Sequence, residues 1–265
     1  MPLSRLLIPT LLALLPSALA AQDITAFGTT ERSTRSLIGI LYDLKQTQDG
    51  KPTPMNIKGY NAFIDTFIAS EWDEAVLNQY FRAPLPLYAN QVFLPLMPAT
   101  AAPKAFQVAD VVKPQFWLVH YKGQVSAPES GEWRFWGYGE EVCSVAVNGK
   151  NVLLSNWKEI TTPTVGWKPA SDAGQPVAAG KLKAGDWIKL EKGEVIDLDI
   201  LIGERGGGVF CAFLLIEKRG ETYGTVNGAP ILPVFKLAPS TIEQPESPKR
   251  GPVIAKDGPV WIGVE

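Results

Sequence analysis

From residue 83 onward, proline and glycine cut the chain into short pieces, and those pieces are dominated by β-branched and aromatic residues. Such side chains fit the pleated, half-buried surface of a strand, while glycine and proline mark the turns between strands. The candidate strands are Gln91 to Leu96, Gln115 to Ser126, Gly131 to Tyr138, Glu141 to Val147, Asn151 to Ser155, Trp187 to Leu190, Glu194 to Ile202 and Val209 to Lys218. Many short strands at regular spacing predict an antiparallel sandwich or barrel. Asn148-Gly149 is the sharpest local signal, because this pair accepts the positive φ angles that a two-residue hairpin requires. The 24 glycines and 22 prolines follow no triplet period, which excludes a collagen-like chain.

The amino-terminal side reads differently. Residues 1 to 20 carry one cation, Arg5, then an apolar run from Leu6 to Leu15 and the small-residue pattern Ala18-Leu-Ala20, the form of a cleaved secretory signal. That run is too short to span a bilayer, which takes roughly 20 residues as a helix. Residues 21 to 36 form a polar leader without period, ordered only if something docks it. Leu37 to Leu44 reads as a strand and Gln46 to Pro54 as a turn-rich exit. Between Asn56 and Arg82 the apolar positions Tyr60, Phe63, Ile64, Phe67, Ile68, Trp72, Ala75, Val76 and Tyr80 predict a helical insertion with one buried stripe. Ser70, followed by Glu71, Asp73 and Glu74, reads as a fresh helix cap that divides the segment. Residues 37 to 235 are thus expected to form one β-sandwich domain, and residues 236 to 265 a flexible Pro-rich tail with an apolar tip at Gly258 to Val264.

The chemistry is limited by what the chain lacks. With one histidine and two cysteines, no His-rich or four-thiolate zinc site can form within one chain. A histidine-assisted nucleophile would have to use His120, which lies inside the strand-like Phe116 to Tyr121 and reads as structural. Asp197 and Asp199 share one strand face, where a solvated edge explains them as well as paired catalytic carboxylates would. Gly203 to Val209 lacks the Lys-Ser/Thr ending of a phosphate loop and precedes a strand rather than a helix, so it reads as an inter-strand turn. The 25 basic and 27 acidic residues leave a formal charge of −2, which disfavours nucleic acid as a partner. An oxidising compartment would permit a bridge between Cys143 and Cys211, and two buried thiols fit the same runs. Aromatics cluster at Trp133, Phe135, Trp136 and Tyr138, with Trp157 and Trp167 beyond; alternation sends the first two to one face and the next two to the other.

The order of several short motifs resembles the protective-antigen-type (PA-fourteen) β-sandwich domain. The matching pieces are Tyr121-Lys-Gly-Gln-Val125, Gly131-Glu-Trp-Arg-Phe135, Val145-Ala-Val-Asn-Gly-Lys150, Leu182-Lys-Ala-Gly-Asp-Trp187 and the glycine-rich Gly203 to Phe213, so the resemblance covers about half the chain. It implies a mainly β, antiparallel β-sandwich, which the helical insertion near its amino-terminal side elaborates. Lectin-like members of that family hold calcium on two consecutive aspartates before the Asn-Gly-Lys hairpin. The corresponding positions here are Glu140 and Glu141, followed by Val142 where the family has glycine. The resemblance therefore implies calcium as a candidate cofactor at Glu140 and Glu141. The expected function is an exported, non-enzymatic module, secreted, periplasmic or at the cell surface. It would bind a glycan or envelope partner through the loop edge around Gly137 to Val142, with Trp136, Tyr138, Trp157 and Trp167 as contacts. The alternative is an assembly protein that docks onto a neighbour through its terminal segments.

Overall fold

The computed structural model describes residues 25–156, 167–171 and 173–264. The signal-like residues 1 to 20 and Trp157 lie outside the described residues. In chain order the strands are β1 (Leu37–Asp43), β2 (Phe81–Arg82), β3 (Leu87–Ala89), β4 (Phe93–Pro98), β5 (Trp117–Ser126), β6 (Gly131–Gly139), β7 (Val142–Val147), β8 (Lys150–Leu154), β9 (Pro176–Val177), β10 (Gly180–Lys181), β11 (Lys183–Ala184), β12 (Ile188–Leu190), β13 (Val195–Glu204), β14 (Val209–Lys218), β15 (Thr225–Val226), β16 (Ala229–Pro230) and β17 (Ile262–Val264). They build an antiparallel β-sandwich. The larger sheet runs β2-β1-β5-β13-β7-β8, with β3 on β1 and β17 on β5; the smaller runs β11-β6-β14-β4, with β12 on β6.

Alternation along the strands fills the space between the sheets. Trp133 and Phe135 of β6 share one core with Cys143 and Val145 of β7 and with Ile196, Leu198, Ile200 and Ile202 of β13. The opposite faces are covered as well. On the outer side of the larger sheet, Ile40, Tyr42, Leu118 and Leu201 pack against Tyr60, Ile64 and Phe67. On the outer side of the smaller sheet, Trp136, Tyr138, Phe213 and Leu215 pack beneath Val177, Leu182, Leu232, Val234 and Ile254. Two sheets are therefore flanked by two further layers, and neither aromatic face of β6 is open.

The helical insertion is a 13-residue helix, α1 (Ile57–Ala69), followed by a 3-10 turn at Glu74–Leu77. Asn56 caps α1, its side chain accepting from the Gly59 N–H at 2.9 Å. The break falls where Glu71 and Trp72 adopt φ of 59° and 64°, a left-handed turn that no helix continues through. Ser70 is consequently the carboxyl cap of α1, and Asp73 is the fresh amino-terminal cap, accepting from the Ala75 N–H at 2.9 Å. A second short helix, α2 (Ala101–Ala105), has no counterpart in the sequence pattern.

Both terminal segments are tied to the core. Phe27, in the polar leader, is buried among Phe106, Trp117 and Phe210. The segment expected to be a flexible tail folds back: Ile254 closes the outer layer, and Trp261 is 1% exposed between Trp133 and Phe235. Beyond it β17 adds to β5 of the same chain, Gly263 facing Val125. An apolar tip joined to a Pro-rich stretch finds its strand partner inside its own molecule.

Cys143 and Cys211 are both free. Cys143 points into the core between the sheets and Cys211 into the outer layer, so the two occupy different cores. Burial pushes each thiol up to about 12, which keeps them protonated and unreactive.

Candidate functional site

The rim where β6 turns into β7 carries Glu140 and Glu141, and β13 brings a third carboxylate to them. In the β13–β7 ladder Gly203 faces Val142, so the next pair along the two strands is Glu204 and Glu141. One oxygen from each of Glu140, Glu141 and Glu204 lies within 4.8 Å of the others. Like charges placed across a ladder repel, and the molecule answers in two ways. Arg205 sets its Nε 3.1 Å from Glu141 Oε2 and its Nη1 3.4 Å from Asn61 Oδ1 on α1. Glu204 is 1% exposed and holds its proton, because burial, with Glu140 and Glu141 adding to it, pushes its carboxyl up to about 8. Burial also raises Glu140, against the opposing pull of Arg205.

Local structure keeps this cluster in place. Gly207, at φ 85°, turns the loop so that its N–H donates to Glu204 Oε1. The Glu140 N–H donates to the Cys211 carbonyl at 2.9 Å, tying the rim to β14. Glu204 Oε2 is enclosed with no hydrogen-bond partner among the described residues. Such an orphaned carboxylate oxygen is costly unless a proton or a cation meets it.

The carboxylate oxygens suit a hard cation such as calcium. Calcium takes six to eight oxygens at about 2.3–2.6 Å, so ligands on opposite sides of the ion stand about 5 Å apart. Oxygens all within 4.8 Å of one another are close enough to share one such ion. These residues fit the ion that the family resemblance implies. Glu140 and Glu141 would hold it with Glu204, a residue invisible to sequence reasoning because its place beside them depends on long-range strand pairing.

The aromatic contacts are dispersed. Trp136 is 1% exposed and donates its Nε1–H to Glu217 Oε2 at 2.6 Å, so it belongs to the outer core and is no contact surface. Tyr138 is also buried, but its ring edges a small cavity beside Gly139. Trp167 is half-buried and donates to Asp186 Oδ2 at 3.1 Å beside the Asn148–Asn151 hairpin, at the far end of β7 from Glu141. Seven residues of extended chain separate those ends by roughly 20 Å. Glu140, Glu141 and Tyr138 are thus neighbours, while Trp136 and Trp167 do not join them.

His120 is held between two carboxylates. Its Nε2 lies 2.8 Å from Asp199 Oδ1 and its Nδ1 3.3 Å from Glu74 Oε1, and its ring meets Phe67 and Trp72. It therefore fastens the helical insertion to the sheet, and both ring nitrogens face carboxylates rather than a nucleophilic hydroxyl. Asp197 accepts from Gln124 Nε2 at 2.9 Å on the same outer face.

No protein-family model matches this chain, and no curated protein does. Among solved structures it is similar to the PA14 sugar-binding domain from an RTX adhesin, at 13% identity and a TM-score of 0.43 over 76% of this chain and 95% of that one. It is also similar to the PA14 domain of the MpAFP antifreeze protein, at 12% identity and a TM-score of 0.40 over 72% and 89%. A third similar structure is the epithelial adhesin 6 A domain from Candida glabrata in complex with Galb1-3GlcNAc, at 10% identity and a TM-score of 0.41 over 70% and 80%.

Proposed function

We propose that this protein is an exported, non-catalytic binding module that holds calcium on Glu140, Glu141 and Glu204 and recognises a glycan of the cell envelope at that rim. The observation that carries the reading is the convergence of three carboxylates from the β6–β7 turn and the end of β13, one of them with a buried oxygen that has no partner among the described residues. Calcium, when bound, supplies open coordination positions for the hydroxyl groups of a sugar. The chain's own residues prepare the place: Arg205 fixes Glu141, Gly207 fixes one oxygen of Glu204, and the β13–β7 ladder sets the distance between them. The signal-like pattern of residues 1 to 20 supports export to a secreted, periplasmic or surface location.

Among the described residues, no helix is long and apolar enough to cross a membrane. Of the terminal segments in the assembly alternative, the tail tip Ile262–Val264 already pairs with β5 of its own chain. Calorimetric titration with calcium chloride, and glycan-array binding in calcium against EDTA, test the proposal. Calcium uptake and array signal should both vanish in Glu140→Gln/Glu141→Gln. Array signal that is unchanged by EDTA and by the double variant would exclude it.

A further inference from the structure

The loop that follows β13, Gly206-Gly207-Gly208, has no side chains with which to fix its own course, so its neighbours set its position. Its far end is tied by the Ala99 N–H, which donates to the Gly208 carbonyl at 3.0 Å. Its near end lies against the carboxylates: a Cβ on Gly206 would stand 3.5 Å from Glu204 Oε1 and 3.9 Å from Glu141 Oε1. The next residue, Gly207, donates its N–H to Glu204 Oε1. That near end is held by Gln115, which stands just before β5, some ninety residues away in sequence. Gln115 Nε2 donates to the Gly206 carbonyl at 3.2 Å, and its stem packs so closely on Gly207 that a Cβ there would strike Gln115 Cγ.

Gln115 is itself fastened on both sides. Lys45 Nζ donates to the Gln115 carbonyl and pairs with Asp43, which is 1% exposed and also accepts from Gln46 Nε2 at 2.8 Å. Phe116, next in the chain, adopts φ of 51°, and the Leu44 N–H donates to its carbonyl at 3.0 Å. A bulky residue takes that left-handed conformation only where its surroundings enforce it, and such strain gathers at functional sites. A buried charge pair and a strained backbone thus converge on one exposed amide side chain, whose reach ends at the rim.

We propose that Gln115 is a positioning residue of the rim site, holding Gly206 and Gly207 so that the Glu204 carboxyl is oriented before calcium arrives. The inference rests on the calcium reading above. A ligand whose rotation is fixed by an outer hydrogen bond binds its ion more tightly than one that must first be ordered. Gln115 touches neither the ion nor the sugar; it acts through the Gly207 N–H.

Titration of the full chain with calcium chloride, beside amide hydrogen exchange in EDTA, tests the role. Gln115→Met keeps a stem of similar length against Gly207 and removes the donor. It should weaken calcium binding by about tenfold. Because Gln115 is exposed, the melting temperature in EDTA should stay within about 2 °C of the parent. The Gly207 amide should exchange about tenfold faster in the variant, a signature that a loss of distant packing would not give. Gly207→Ala displaces the same loop while leaving all three glutamates in place; it should weaken calcium binding too, and decides the matter if Gln115→Met does not fold. Calcium affinity or Gly207 protection in Gln115→Met equal to that of the parent would overturn the positioning role and leave the calcium reading standing. A weaker affinity matched by a lower melting temperature in EDTA would overturn it as well, making Gln115 a structural residue. A parent chain that takes up no calcium would overturn that reading, and with it the role of Gln115.

Discussion

Glu204 couples stability to pH and, on the proposed function, to ion binding. Its carboxyl is raised to about 8 in the folded chain, against 4.5 for the unfolded group. In the ion-free protein the folded state keeps this proton while the unfolded chain sheds it. The contribution is therefore fully present below about pH 4.5 and is lost as the pH rises through about 8. Thermal melts in EDTA should show a falling melting temperature between pH 5 and 8, and Glu204→Gln should flatten that slope. A variant whose slope equals that of the parent would remove Glu204 from this role. Calcium would displace the same proton, so its affinity should climb across the same pH window in the parent chain and not in Glu204→Gln. The doublet Glu140-Glu141 is legible in the sequence, because both carboxylates lie side by side before a recognisable hairpin. Glu204 is not, because only the pairing of β13 with β7 brings it across.

At the level of elements, the insertion and the sheet are joined by a hydrogen-bonded histidine. Burial alone would lower the His120 pKa, but Asp199 and Glu74 outweigh it and raise it; in return the His120 hydrogen bond holds Glu74 down to about 2. The Glu74 contribution is present above about 4.5 and fades as pH falls towards 2, while that of His120 is full below its unfolded value of 6.5 and fades as pH rises through its folded pKa. His120→Phe should therefore cost about 2 kcal/mol near pH 6, less than the 3–5 kcal/mol of a fully buried pair because both carboxylates reach solvent. Urea denaturation at pH 6 and 9 checks this; an equal loss at both values would mean that only packing was removed. The apolar stripe announces α1 correctly, since Tyr60, Phe63, Ile64, Phe67 and Ile68 are its buried face. The fresh cap lies at Asp73 rather than at Ser70, because a left-handed turn at Glu71 and Trp72 leaves no mark on hydrophobic period.

In the whole molecule, the carboxyl-terminal segment is part of the core rather than an appendage. Trp261 meets Trp133, Phe135 and Phe235 edge-on or tilted, beneath the strand that β17 adds to β5. Trp261→Ala should cost about 4 kcal/mol, and truncation after Leu237 should abolish cooperative unfolding, both read from chemical denaturation of the chain. A truncated chain that melted like the parent would return the segment to a docking role. The strand-rich, antiparallel character of the chain follows from its alternation and its turns, which are local properties, and the Asn148-Gly149 hairpin forms where its φ angles allow, at 51° and 74°. Tertiary structure alone decided which faces of those strands meet water. Alternation assigns Trp133 and Trp136 to opposite sides of β6, but a side becomes core only when a segment distant in sequence covers it, and here residues 177 to 182 and 232 to 254 close the one that local pattern left open.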